Sequence, residues 1–119
     1  MGDTRKDHAE ITIPTVLNYG SPVLELMAKF FLVFNTQFGG YWTTAGRGSW
    51  LEHPGILSSE QHEPSIKVEV DFYKEQRAEF ETVIAAIRRA LGQKVVRCII
   101  VENAAHYFDD EGESNVASK

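Results

Sequence analysis

Between Ser65 and Phe72, apolar and polar residues alternate without a break: Ile66, Val68, Val70 and Phe72 interleave with Ser65, Lys67, Glu69 and Asp71. A period of two is the signature of a β-strand with one buried and one wet face. Such a strand needs something to cover its apolar side, and the next segment supplies it. From about Lys74 to Leu91, Phe80, Val83, Ile84, Ile87 and Leu91 recur at three- and four-residue spacing, as on one stripe of a helix that ends at Gly92. A half-polar strand followed directly by an amphipathic helix restricts the chain to a sheet covered by helices on one side.

The remaining segments fit that plan. Ile11, Ile13 and Val16 predict a first strand over Glu10–Leu17, and Pro14 suits an edge or a strand end. Ser21 as N-cap and Pro22 at the first helical position start a helix that reaches Phe38 and stops at Gly39-Gly40. Tyr41–Ala45 and Ile56–Phe72 read as two extended segments joined by a loop that holds Gly46, Gly48, Pro54 and Gly55. Val95–Val101 is almost wholly apolar, as in a central strand, and a short edge is expected near Tyr107-Phe108. The order β-α-β-β-α-β predicts an α+β, ferredoxin-like domain: a four-stranded antiparallel sheet with two helices on one face. The expected organisation is a flexible arm over 1–8, a single domain over 9–108 and a flexible acidic tail over 109–119.

The size, 119 residues with 43% hydrophobic and 24% charged, suits one folded domain. No apolar run approaches the roughly 18–20 residues that span a bilayer, and the N-terminus is polar, so no membrane association is expected. The lone Cys98 sits in an apolar run, which fits a reducing, cytoplasmic setting with the thiol as a small core residue. A net charge of −5 argues against a general nucleic-acid binder, which needs clustered Lys and Arg.

The first helix carries more apolar surface than one sheet requires. From Pro22 to Phe38 only Glu25 and Lys29 are charged. Val23, Leu26, Met27, Phe30 and Phe34 make one face, while Leu24, Phe31, Leu32 and Val33 point elsewhere. A helix apolar on two sides is normally buried on two sides, and a second copy of the chain is the commonest cover. Leu24, Phe31, Leu32 and Val33 are therefore the expected homo-oligomer interface.

Two segments carry candidate chemistry. Gly46-Arg47-Gly48-Ser49-Trp50 joins open backbone, a guanidinium and an aromatic ring, with Trp42 nearby. Glycines let amides approach an anion, arginine grips phosphate or carboxylate, and tryptophan stacks on a planar group. Gly46, Arg47, Gly48, Trp50 and Trp42 are accordingly the candidate ligand-binding residues, for a small anionic ligand. For the two tryptophans, packing in the core or at an edge is a stronger expectation than lining a pocket. Glu52, His53, Glu60, His62 and Glu63 lie close together, and an extended Glu60–His62 places both side chains on one face. His53, Glu60 and His62 are thus candidates for proton exchange. No metal site is expected, because zinc needs three or four ligands and no His-Glu-x-x-His or cysteine pair completes the set. His106-Tyr107 with Asp109 and Asp110 is a similar, sparser grouping. No phosphate loop or nucleophile motif is present in the sequence, and no cofactor is expected.

Phe38-Gly39-Gly40, Trp42, Gly46, Gly48, Trp50, Gly55, Glu60 and Leu91-Gly92-Gln93 together form a layout that resembles a group of uncharacterised small bacterial and phage proteins, over roughly residues 10–101. More distantly the chain resembles PII-type signal-transduction proteins and their CutA-like relatives. That resemblance implies ferredoxin-like trimers with a long loop, here Gly40–Pro64, that binds small effectors at subunit interfaces. The stretch Gln93-Lys94-Val95-Val96 lacks the glycine-aspartate-glycine-lysine phosphate contact of PII proteins, so architecture and oligomeric habit are what the resemblance carries. The expected function is a non-enzymatic, oligomeric module that senses or sequesters a small ligand. The alternatives are a protein-interaction module, such as a phage or plasmid-borne inhibitor or adaptor, and a small hydrolase using Glu60 and His62.

Overall fold

The computed structural model describes residues 5–15 and 23–108. Within them, strands β1 (Lys6–Pro14), β2 (Trp42–Leu51), β3 (Glu60–Phe72) and β4 (Arg97–Ala105) form one antiparallel sheet in the order β2-β3-β1-β4. Helices α1 (Val23–Phe38) and α2 (Arg77–Ala90) follow β1 and β3, which makes the β-α-β-β-α-β, ferredoxin-like α+β fold.

Register decides which side chains meet the helices. Ala9, Ile11 and Ile13 of β1 lie opposite Val70, Val68 and Ile66 of β3, and Ile11 and Ala9 lie opposite Cys98 and Ile100 of β4. From α1, Val23, Met27, Phe30, Phe34 and Phe38 form one stripe at spacings of three and four and are buried against this face. Phe80, Ile87 and Leu91 close the core from the α2 side. At one end of that core four phenylalanines interlock. The Phe72 and Phe80 rings stack at 4.4 Å, Phe38 meets Phe80 edge-on at 5.6 Å, and Phe34 sits 6.5 Å from Phe80. Strand β3 and both helices are joined there.

The helices end where glycine allows it. Gly39, at φ +91°, follows Phe38. Gly92, at φ +64°, forms a Schellman closure in which the Gln93 and Gly92 amides donate to the Arg88 and Arg89 carbonyls.

Several boundaries differ from those the sequence predicts. β1 begins at Lys6, inside the expected arm, because Asp7 continues the buried alternation: it is 3% exposed and accepts the Asn103 amide at 2.9 Å. Asn103 takes φ +55° there, beside an irregularity in the β1–β4 register. Val16 and Leu17, assigned by sequence to the first strand, lie outside the described residues, as do Ser21, Pro22 and the acidic segment from Asp109. β2 does not stop at Ala45. Gly46–Trp50 is strand, paired with β3 from Trp42 opposite Glu69 to Leu51 opposite Glu60, so partner hydrogen bonds override the local signal of two glycines. The reversal is made by residues 52–56 and a 3₁₀ turn over Leu57–Ser59. The apolar closing strand is an edge strand, not a central one, and it runs on to Ala105 in place of a separate edge at Tyr107-Phe108. Leu26, expected in the core stripe, is 37% exposed.

The phenylalanine cluster carries a prediction. Phe80→Ala should lower unfolding free energy by about 3–5 kcal/mol, whereas Leu32→Ala, at a 63%-exposed position, should change it by less than about 0.5 kcal/mol. Urea unfolding of the two variants checks the pair of values.

Candidate functional site

The sheet face turned away from the helices is uncovered among the described residues. Alternation sends Trp42, Thr44, Gly46, Gly48 and Trp50 of β2 to that face, with Gln61, Glu63, Ser65, Lys67, Glu69 and Asp71 of β3. His8, Glu10 and Thr12 of β1 and Arg97, Ile99 and Val101 of β4 share it. One row crosses all four strands: Thr44 beside Lys67, Lys67 beside Thr12, Thr12 beside Arg97. Next to it, Gly46 lies opposite Ser65.

These short side chains leave a depression. An open groove of about 530 Å³ is lined by Thr12, Thr44, Gly46, Ser65, Lys67 and Arg97, with Ala45, Arg47, Gly48 and Ser49 along its β2 border. Gly46 keeps it open: a β-carbon there would stand 3.6 Å from the Ser65 hydroxyl, over the groove floor. Ser65 is 8% exposed, and its hydroxyl has no hydrogen-bond partner among the described residues. Burying a hydroxyl unpaired costs free energy, so a donor or acceptor from beyond the described residues is wanted there. Arg47 and Arg97 form no ion pair among the described residues. Lys67 is held at 3.2 Å by Glu10.

From Lys67 a line of polar contacts runs away from the groove. The other Glu10 oxygen is 4.0 Å from His8 Nε2, which lies 3.2 Å from Glu69. His8 Nδ1 is 2.8 Å from Asp71 Oδ1, and the Tyr107 hydroxyl donates to Asp71 Oδ2. Burial, then the Asp71 carboxylate, pushes the Tyr107 phenol far above its ordinary range. The Lys6 ammonium lies over the Tyr73 ring at 4.6 Å and the Tyr107 ring at 5.1 Å. Tyr107 thus fastens the segment after β4 to the open face through Asp71; Asp109 and Asp110 lie outside the described residues.

The other candidates are placed as follows. Gly46, Arg47 and Gly48 border the groove. Trp42 and Trp50 share its face but stand beyond its lining, 55% and 49% exposed, and neither belongs to the core. Glu60 and His62 do meet, at 3.3 Å, on the opposite side of the β2–β3 ribbon, where Ser49 donates to Glu60 at 2.9 Å. The Ser49 hydroxyl and then His62 hold the Glu60 carboxyl below the usual carboxylate range. Both side chains are about half exposed, and among the described residues no group of three or more His, Cys, Asp or Glu is placed to hold a metal ion. His53 stands apart in the turn, its amide donating to Ser59. On α1, Leu24 and Leu32 are exposed, while Phe31 stacks on Tyr41 at 4.6 Å and Val33 packs against the core. The internal cover thus accounts for two of the four surplus residues.

Sequence reasoning did not find Thr12, Thr44, Ser65, Lys67 and Arg97. Their only signal was membership of the polar phase of strands, which marks a wet face and not a site.

No family model matches the chain, and no curated protein matches it. Its fold does match solved structures. A phage SAM lyase in complex with S-methyl-5'-thioadenosine superposes with a TM-score of 0.61 at 13% identity, over 87% of this chain and 84% of that one. The phage SAM lyase in its apo state gives 0.61 and 13% over 87% and 85%. A Bacillus cereus protein related to NIF3 gives 0.57 and 9% over 85% of this chain and 26% of that one. At these identities the likeness is one of fold alone.

The Tyr107–Asp71 contact makes a pH prediction. A phenol whose pKa is raised in the folded state adds stability below its unfolded pKa of about 10, and that stability is lost as pH rises through the higher folded value. Tyr107→Phe should cost about 1.5–3 kcal/mol at pH 7, the worth of a hydrogen bond to a charged acceptor. Above pH 10 the gap between wild type and variant should narrow. Urea unfolding at pH 7 and above 10, with absorbance titration of the phenolates, tests this.

Proposed function

We propose that the chain is a non-enzymatic small-ligand-binding module that works as a homo-oligomer, its ligand seated in the groove on the open sheet face. The observation that carries the reading is the groove's floor: a buried Ser65 hydroxyl without a hydrogen-bond partner among the described residues, near Arg97, which forms no ion pair among them, and a glycine that keeps the space clear. Groups that want partners and converge on one depression are what a ligand site consists of. The lack of a carboxylate in the lining among the described residues and the presence of Lys67 and Arg97 favour a ligand with negative charge. The phage SAM lyase, solved with S-methyl-5'-thioadenosine, has a similar fold and holds a small molecule; being a lyase, it bears on small-molecule binding by this architecture and not on the non-enzymatic part of the reading.

Three surfaces support self-association. Leu24 and Leu32 project from α1 at 52% and 63% exposure. Ile99 and Val101 of edge strand β4 lie uncovered beside the groove face, at 37% and 48%. Ile56 and Leu57, 52% and 82% exposed, tip a two-stranded ribbon whose outer part, around Arg47–Leu51 and Glu60–Pro64, has no core beneath it. An isolated two-stranded ribbon is marginal in water and gains stability by packing on a neighbour. The protein-interaction reading draws on the same exposed α1 residues and predicts a monomer that binds a foreign partner.

Native mass spectrometry of the freshly purified protein separates these. The expected result is two or more copies with a co-purifying small mass, reduced to bare protein in Gly46→Val, which fills the groove. A bare monomer from wild type would refute the reading. Leu24→Glu with Leu32→Glu should shift the oligomer toward monomer if α1 forms the contact.

A further inference from the structure

The groove's lining is unusual in what it combines and in what it leaves out. Arginine and lysine only donate hydrogen bonds, whereas the Thr12, Thr44 and Ser65 hydroxyls both donate and accept. A bare inorganic anion only accepts, so it would satisfy the cations and leave the accepting capacity of three hydroxyls unused. A polyol satisfies the hydroxyls and leaves the cations unpaired. No aromatic ring lines the groove, and its apolar surface comes from Ala45, glycine backbone, threonine methyls and side-chain stems. A purine or pyrimidine would find no stacking platform there, since Trp42 and Trp50 stand outside the lining. Charge is spread across the sheet: Arg97 comes from the β4 edge and Lys67 from β3, with β1 between them. Two strand spacings of about 4.8 Å separate these two strands.

We infer that the ligand of this groove is a polyhydroxylated organic anion without a nucleobase: a phosphate or carboxylate carried on a sugar or sugar-acid skeleton. Its anionic group pairs with Arg97 and Lys67, and its hydroxyls exchange hydrogen bonds with Thr12, Thr44 and Ser65. Lys67 is a tuned contact. Glu10, which does not line the groove, holds it at 3.2 Å and takes part of its charge. The inference rests on the groove being the ligand site, and it adds the chemical class of what binds.

Isothermal titration of the full chain with glucose 6-phosphate, gluconate, inorganic phosphate, glucose, AMP and S-methyl-5'-thioadenosine tests it. Glucose 6-phosphate or gluconate should bind saturably, at least about tenfold tighter than inorganic phosphate or glucose, each of which offers only half the set of partners. Which of the two binds tells a sugar phosphate from a sugar acid. Arg97→Gln, at an exposed position, should weaken that binding about tenfold to a hundredfold through loss of a charge-assisted pair. Glu10→Gln should tighten it about two- to fivefold by releasing Lys67, an outcome that general damage to the fold would not produce. Binding of AMP or the thioadenosine that depends on Arg97, with the hydroxylated anions inert, would overturn the ligand class and leave the groove as the ligand site. Inert hydroxylated anions together with a co-purifying mass that Gly46→Val abolishes would do the same. An inert panel with no co-purifying mass in wild type would overturn both.

Discussion

The stacked pair Phe72–Phe80, with Phe34 and Phe38 closing around it, is the contact on which the rest of the structure depends. It joins the end of β3 to the first turn of α2 and the end of α1, and so sets both helices on one face of the sheet. Once the helices are there, the odd-numbered positions of β1 and the even-numbered positions of β3 are committed to the core. The opposite phase of each strand is committed to the other face, because a side-chain period of two permits nothing else.

That second face is where chemistry collects. Its residues are polar because no helix covers them, and they are ordered because the strands beneath them are. A groove built on a sheet has a rigid floor, so its donors are held in place before a ligand arrives, which lowers the entropic cost of binding. The polar line from Tyr107 through Asp71, His8 and Glu10 to Lys67 ties the segment after β4 to the same floor. Of the exposed apolar residues, Leu24 and Leu32 lie on α1 and Ile56 and Leu57 at the ribbon tip, whereas Ile99, Val101, Trp42 and Trp50 share the open face with the groove. The α1 and ribbon-tip surfaces are thus separate from the groove.

Much of the fold was legible in local sequence. The alternation through Ile66–Phe72 and the stripe through Phe80, Ile87 and Leu91 each report on a single element, and each element forms as its pattern says. The misreadings share one physical cause. Gly46 and Gly48 signal a loop when read alone, yet they lie in a strand because β3 hydrogen-bonds along their length. The apolar run of β4 signals a central position, but an edge strand carries the same composition when its open face awaits cover. Lys6 and Asp7 look like a polar arm, and only the Asn103 amide explains why Asp7 is buried. In each case the deciding partner is distant along the chain.

The site was less legible, for the same reason. Arg47 and its flanking glycines stood out because they are adjacent in sequence, and they do border the groove. Thr12, Thr44, Ser65, Lys67 and Arg97 come from four strands, and no local pattern links them. By itself the sequence determined the element order, the core phase of each strand and the surplus apolar surface of α1, since these follow from periodicity and composition. Tertiary structure alone decided which polar residues became neighbours, that the tryptophans flank the groove without lining it, and that the Ser65 hydroxyl is buried without a partner among the described residues. Neighbourhood across a sheet is set by register, and register is fixed by hydrogen bonds between segments that the linear sequence keeps far apart.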